Sequence, residues 1–275
     1  MNNEERFKKI SSDLAEGRTE GVSYAVLQIA EESNDPFEIV KGMSLLKLVP
    51  NDGTESKVAN ILVEKTDGKD ALDVAMALRN LDCPTFALEV LKKAPQTDRS
   101  VRLRCHCLYD VEEYESAYDL YRSLENPVIN DRILLSDILS AIGEHSKSID
   151  EATKLLSEFP NDYDVRIAYV KSLMMGGRDK DAAKYARAAV KDKSADSNAV
   201  AAYVLRVAGN TKAAGGYASR AVQINPEHIG ALETLGICLA IKGEYEKAKI
   251  VAGAINEISP GDKAAINILS YCEEH

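Results

Sequence analysis

The sequence predicts an all-α protein built from consecutive antiparallel helix pairs, and three observations carry this prediction. Apolar residues recur at three- and four-residue steps, as in Leu232, Leu235 and Leu239, and this spacing places them on one face of a helix. Gly, Ala and Pro recur at a nearly constant period along the chain. The sequence holds only 4 Phe and no Trp, which argues against a β-sandwich or barrel because such folds ordinarily carry more aromatic residues.

Composition excludes several classes of protein. The chain has 275 residues, of which 45% are apolar, and this is enough to bury a large core. The formal net charge of −10 argues against a nucleic-acid partner. The longest apolar run, Ala199–Leu205, is too short for membrane insertion, and residues 1–6 lack the charged-then-apolar layout of a signal peptide. Five cysteines, an odd number, are expected to be reduced thiols, so we expect a cytoplasmic protein.

The clearest internal repeats occupy residues 195–228 and 229–262. The pairs that recur 34 residues apart are Gly209 and Gly243, Ala214 and Ala248, Ala221 and Ile255, and Pro226 and Pro260. Gly243 is expected to take the left-handed conformation that closes a first helix. Pro260 is expected to stop the second helix, because proline has no N–H to donate.

This unit resembles the tetratricopeptide repeat, a helix–turn–helix of about 34 residues with small residues near places 8, 20 and 27, Gly near 15 and Pro near 32. In 229–262 those places hold Gly236, Gly243, Ala248 and Pro260, and Ile255 replaces the small residue at place 27. The resemblance implies a right-handed superhelical solenoid of antiparallel helix pairs, with about 15–17 helices. It also implies that partners lie in a concave groove lined by the first helices of successive repeats.

We predict that residues 1–275 form a single tetratricopeptide-like array. Residues 1–67 are expected to hold two degenerate helix pairs, roughly 4–16 with 20–33 and 36–49 with 54–66. The repeats that follow are 68–97, 98–128, 129–162, 163–194, 195–228 and 229–262, and a capping helix at 263–275 ends the array. The weaker repeats keep some of the motif: Cys83-Pro84 opens a second helix in 68–97, Glu112 replaces the turn Gly in 98–128, and Gly143 and Gly177 mark the turns of the next two.

No motif predicts catalysis, a metal or a cofactor. The sequence has no His-x-x-x-His or Cys-x-x-Cys spacing for a metal ion. Cys105 and Cys107 would point about 200° apart on a helix, and Cys105 is expected to be a packed core thiol. We expect His145, His228 and His275 to be solvated. The chain is therefore predicted not to be an enzyme.

Places 2, 5, 9 and 12 of each first helix fall on one stripe, which would line the groove. The stripe includes Asp164 and Ile167 in one repeat and Gly230 and Glu233 in another. The candidate peptide-binding residues on it are Arg79, Arg99, Arg102, His106, Tyr109, Lys171, Tyr203 and Arg206. Clustered arginines suit an acidic partner because the guanidinium fork pairs with carboxylates. The alternative is that these arginines pair with local Asp and Glu and bind nothing.

The sequence thus predicts a non-enzymatic scaffold or adaptor that binds a peptide or protein partner in its groove. A first alternative is a self-associating structural or regulatory module that forms a homo-oligomer through its terminal repeats. That alternative depends on apolar residues of the capping helix, namely Ala265, Ile266, Ile268, Leu269 and Tyr271. A second alternative is an RNA-binding helical repeat, which the acidic net charge disfavours.

Overall fold

The computed structural model describes residues 2–259 and 261–275, and it confirms the predicted all-α fold. These residues form 17 α-helices and one 3-10 turn at Val190–Asp192, and no strand occurs among them. The chain divides into two compact units, Met1–Asn126 and Pro127–His275. Pro260, which is expected to end a repeat, lies outside the described residues.

The first unit consists of eight helices, and each packs against the next along the chain except α4, which packs against α6 instead of α5. They are α1 (Asn3–Ala15), α2 (Val22–Glu32), α3 (Pro36–Leu46), α4 (Thr54–Lys65), α5 (Ala71–Asn80), α6 (Pro84–Leu91), α7 (Asp98–Asp110) and α8 (Tyr114–Tyr121). Pro36 and Pro84 open α3 and α6, because proline tolerates the first helical turn where no N–H donor is needed. The core contains fully buried Ile39, Met43 and Leu62.

The second unit consists of nine helices. They are α9 (Ile129–Ala141), α10 (His145–Glu158), α11 (Tyr163–Met175), α12 (Asp179–Ala189), α13 (Ala195–Val207), α14 (Thr211–Ile224), α15 (Ile229–Ile241), α16 (Tyr245–Ile258) and α17 (Lys263–Glu274). Antiparallel pairs form between α9 and α10, α11 and α12, α13 and α14, and α15 and α16. The first helices of these pairs also contact one another in chain order, so α9, α11, α13 and α15 lie side by side.

The turns inside the helix pairs share a residue in the left-handed region. Gly143, Gly177, Gly209 and Gly243 all have φ between 73° and 82°, as the glycine spacing predicts. The corresponding turns of the α5–α6 and α7–α8 pairs place Asp82 at φ 58° and Glu112 at φ 64°. The turn geometry is therefore kept where the sequence has lost the glycine, and a side chain there strains the backbone.

Small residues hold the helices close together, as their recurrence predicts. Ala202, Ala214 and Ala248 are fully buried. A Cβ on Gly236 would lie 2.5 Å from the Cδ1 atom of Ile268, so α17 packs directly over this glycine. All five cysteines are buried thiols that form no disulfide, including Cys105 as expected.

The capping helix exposes less apolar surface than the sequence suggests. Ala265 and Ile268 are expected to be exposed on α17, but both are buried against the α15–α16 pair because they face Gly236 and its neighbours. Ile266, Leu269 and Tyr271 remain exposed.

Candidate functional site

The eight predicted groove residues all lie on first helices. Arg79 is on α5, and the α7 residues are Arg99, Arg102, His106 and Tyr109. The α11 and α13 residues are Lys171, Tyr203 and Arg206. The first five belong to the unit Met1–Asn126 and the other three to the unit Pro127–His275.

Each arginine of the first group lies beside an aspartate. Arg79 Nε donates to Asp110 Oδ2 at 2.6 Å, and Arg99 Nη2 lies 3.4 Å from Asp73 Oδ1. Arg102 Nη2 donates to the Asn126 carbonyl oxygen at 2.7 Å and lies 3.7 Å from Asp98 Oδ2.

These ion pairs differ in how readily a partner could replace them. The Arg79–Asp110 pair is mostly buried, with side-chain exposures of 30% and 16%. The Arg99–Asp73 pair is 63% and 59% exposed, and such a surface pair contributes only about 0–1 kcal/mol. Arg99 is therefore the arginine of this group that can most easily exchange its aspartate for a carboxylate of a partner.

The second unit contains a cavity of about 480 Å³ on its first helices. Its lining comes from α11, α13 and the start of α15: Tyr163, Asp164, Ile167, Tyr203, Glu227, His228, Ile229, Gly230 and Glu233. Tyr203 is a predicted groove residue, and four others lie on the predicted stripe. The volume falls within the range of about 300–1,000 Å³ that small-ligand pockets occupy.

Tyr163 and His228 form the floor of this cavity. The His228 ring meets the Tyr163 ring edge to face at a centroid distance of 4.6 Å. His228 Nδ1 accepts the Ala231 N–H at 3.2 Å and so caps α15, while Nε2 lies 3.3 Å from Asp196 Oδ1. The expectation that His228 is solvated is wrong, because the side chain is buried as the helix cap. His145 is partly buried, and only His275 is exposed as expected.

Gly230 allows this arrangement. A Cβ at position 230 would lie 2.2 Å from Tyr163 Oη and 2.8 Å from its Cζ. Any other residue there would displace the Tyr163 ring. The pairing of a glycine with a tyrosine 67 residues earlier in the chain shapes the cavity.

The carboxylates of the cavity are poorly neutralised. Burial raises the pKa of Glu233, and Asp262 raises it further, while Arg206 lowers it. Burial also raises the pKa of Asp164, helped by Asp162 and opposed by His228. Neither carboxylate forms an ion pair or a hydrogen bond through its side chain with another described residue. The cavity therefore presents acceptor oxygens with incomplete partners.

The tyrosine hydroxyls stay protonated at neutral pH, because burial raises the pKa of both Tyr163 and Tyr203. The Arg206 guanidinium lies over the Tyr203 ring, with its Cζ 5.3 Å from the ring centroid. Arg206 Nε is buried and finds no hydrogen-bond partner in the described part of the chain. Lys171 is held by Asp137, at 2.9 Å from Nζ to Oδ1. Arg206 Nε is thus a buried donor without a hydrogen-bond partner among the described residues, next to Tyr203 but outside the cavity lining.

Most residues that line the cavity are not among the eight predicted groove residues. Asp164, Ile167, Gly230 and Glu233 lie on the predicted stripe, but their mixed chemistry gave no reason to single them out. Tyr163 lies one position before its stripe, and no sequence signal separates it from an ordinary helix-start residue.

Within residues 2–259 and 261–275, no group of three or more His, Cys, Asp or Glu side chains is placed to hold a metal ion. None of the helices described is both long and apolar enough to cross a membrane.

No protein-family model matches the sequence, and no curated protein matches it. The fold is similar to that of solved structures. One is the TPR domain of P58(IPK), with 16% identity, coverage of 99% of this chain and 88% of that one, and a TM-score of 0.35. Another is a tetratricopeptide repeat protein from Parabacteroides merdae, with 13% identity, coverage of 86% and 98%, and a TM-score of 0.49. Both are tetratricopeptide repeat proteins, the family that the helix pairs and the 34-residue period of this sequence resemble.

Proposed function

We propose that this chain is a non-enzymatic protein-interaction module that holds a peptide along α11, α13 and α15 of its second unit. The observation that carries the proposal is the cavity on these three adjacent helices. Its walls mix aromatic and apolar side chains with carboxylates, and this mixture is typical of sites that bind peptide side chains.

Two polar groups beside Tyr203 favour a peptide over an apolar ligand. An extended peptide carries an N–H donor and a C=O acceptor at every residue except proline. Glu233 supplies an acceptor without a partner, and Arg206 Nε supplies a buried donor without one. Buried polar groups are nearly always hydrogen-bonded in folded proteins, so a peptide N–H would complete Glu233, and a peptide carbonyl would complete Arg206 Nε once the guanidinium turns toward the cavity.

The test is a selection from a phage-displayed library of random peptides on the full chain, followed by calorimetric affinities for the enriched peptides. We expect Tyr203→Ala to weaken binding at least about ten-fold, as the loss of a central aromatic contact does at other interfaces. Tyr24→Ala, at an exposed tyrosine of α2, is the matched control and should bind unchanged. Far-ultraviolet circular dichroism checks that both variants keep their helices. A selection without enriched peptides, or binding that ignores Tyr203→Ala, would refute the proposal.

The arginines of α7 support a second contact, with an acidic segment of a partner. The exposed Arg99–Asp73 pair favours it, since little free energy holds Arg99 in place. A glutamate-rich peptide should lose most of its affinity for the Arg99→Ala/Arg102→Ala protein, and Arg99→Ala alone, which removes only a surface ion pair, should weaken it without a change in melting temperature. Unchanged affinity of the double variant would show that the α7 arginines do not bind the acidic peptide.

Self-association is a second candidate function, because apolar side chains are exposed on the last two helices. They are Ile250 at 73%, Ile266 at 51%, Ile258 and Tyr271 at 38%, and Leu269 at 37% exposure. Sedimentation over a wide range of protein concentration tests it. A mass that rises with concentration in the wild type and stays monomeric in Ile266→Glu would support it, and a monomer throughout would exclude it.

A further inference from the structure

We infer that the cavity of the second unit accepts a basic side chain, arginine in preference to lysine, from the bound peptide. The inference rests on the proposed function, because it names the peptide residue that the same cavity recognises. The charges of the lining residues support this preference. Three carboxylates line the cavity, from Asp164, Glu227 and Glu233, and the lining contains no lysine or arginine.

The histidine of the lining is already engaged at both ring nitrogens. His228 Nδ1 accepts the Ala231 N–H, and Nε2 lies 3.3 Å from Asp196 Oδ1. Asp196 is not part of the lining, so these contacts leave the carboxylates of Asp164, Glu227 and Glu233 without a hydrogen bond from the ring.

The nearest cations outside the lining are already placed elsewhere. Lys171 is paired with Asp137. Arg206 lies over the Tyr203 ring and attracts Glu233 without reaching ion-pair distance. Asp164 and Glu227 form no ion pair with any described residue, so at least these two carboxylates remain for a ligand.

Aromatic walls beside uncompensated carboxylates select a cation over other side chains. A guanidinium can stack on a tyrosine face while its N–H groups donate to carboxylates, and it keeps its charge at all physiological pH values. A lysine ammonium makes the charge contact but stacks less well. An acidic side chain would be repelled, and an apolar one would bury the carboxylates without partners.

The experiment uses the full chain and the peptide acetyl-Ala-Ala-Arg-Ala-Ala-amide. The readout is the ¹³C-methyl NMR signals of Ile167 and Ile229, two residues of the lining. The comparison peptides replace Arg by Lys, by Glu, or by citrulline, which has nearly the same shape without the charge. We expect the arginine peptide to shift both methyl signals, and the citrulline peptide to bind at least about ten-fold more weakly, as the loss of one charged hydrogen-bonded contact implies.

Two variants show whether the cavity causes the preference. Glu233→Gln should weaken the arginine peptide about ten-fold and leave the citrulline peptide unchanged. Glu246→Gln, at a carboxylate of α16 that is 88% exposed, is the matched control and should change neither. Raised salt should weaken arginine binding in the wild type.

Equal affinity for the arginine and citrulline peptides would overturn the inference, and so would arginine binding that leaves the Ile167 and Ile229 signals in place. The library selection separates this failure from failure of the proposed function. Selected peptides that need Tyr203 but contain no basic residue would uphold the peptide site and refute the arginine preference. If no peptide is selected, both the proposed peptide site and the arginine preference are refuted.

Discussion

Glu233 offers a direct test of the cavity electrostatics, through the substitution Glu233→Gln. Glutamine keeps the shape of the side chain and removes its charge. In the folded protein, burial disfavours the charged form and raises the pKa of this carboxyl, and the attraction of Arg206 only partly opposes the shift. At neutral pH the carboxylate is charged in both the folded and the unfolded chain, so its burial reduces the free energy of unfolding.

The variant should gain about 1 kcal/mol at neutral pH, because a buried unsatisfied charge costs more than the neutral amide that replaces it and Glu233 is only partly buried. The pH dependence has a definite sign. A raised pKa means that the folded protein binds the proton first as the pH falls, so the wild type gains stability relative to the variant. The difference between the two proteins should therefore shrink through the raised folded pKa and vanish below the unfolded pKa of about 4.3.

Urea unfolding followed by far-ultraviolet circular dichroism measures this difference. The two proteins and the control Glu246→Gln should be compared at neutral pH and at several acidic values. A Glu233→Gln protein that is less stable than the wild type at neutral pH would show that the carboxylate has a partner that holds it. A stabilisation that does not depend on pH would assign the effect to packing. Either result refutes the reasoning.

The remaining predictions concern the backbone and the ion pairs. Glu112→Gly should raise the free energy of unfolding by about 0.5–1 kcal/mol in urea titrations, because glycine adopts the left-handed conformation without steric cost; a loss of stability would contradict it. Gly230→Ala should lower the free energy of unfolding in thermal melts by about 1–2 kcal/mol, because its Cβ clashes with the Tyr163 ring. Gly216→Ala is the control: its Cβ has no neighbour within 4 Å, so alanine should raise the free energy of unfolding by up to about 1 kcal/mol. Equal effects of the two substitutions would disprove the clash. Arg132→Met should cost about 2 kcal/mol in chemical unfolding, since it removes the 2.6 Å hydrogen bond to Glu151, a carboxylate only 16% exposed, and a neutral result would exclude that role.

Local features of the fold could be predicted because their causes are local. The left-handed turn at Gly243 and the buried Ala248 follow from the repeat period, and both are observed. The left-handed conformation of Asp82 could not be predicted in this way, because its turn lacks the glycine that marks the other turns. Aspartate tolerates the left-handed region better than most residues, and this explains why the turn persists there.

The candidate site was harder to predict because its contacts cross repeats. Arg79 pairs with Asp110, 31 residues later, and a sequence pattern on α5 alone cannot show that the guanidinium is already occupied. His228 lies two residues after Pro226 and looks exposed, yet Tyr163 from the preceding repeat packs against its ring. The stripe contained Glu233, but only packing shows that burial leaves this carboxylate without a partner.

The most direct test of the central claim is a map of the backbone amides that a selected peptide perturbs in the NMR spectrum of the full chain. We expect the shifted amides to cluster on α11, α13 and the start of α15, with Tyr163, Tyr203 and Gly230 among them. Shifts confined to the second helices α12, α14 and α16 would place the partner elsewhere and contradict the account.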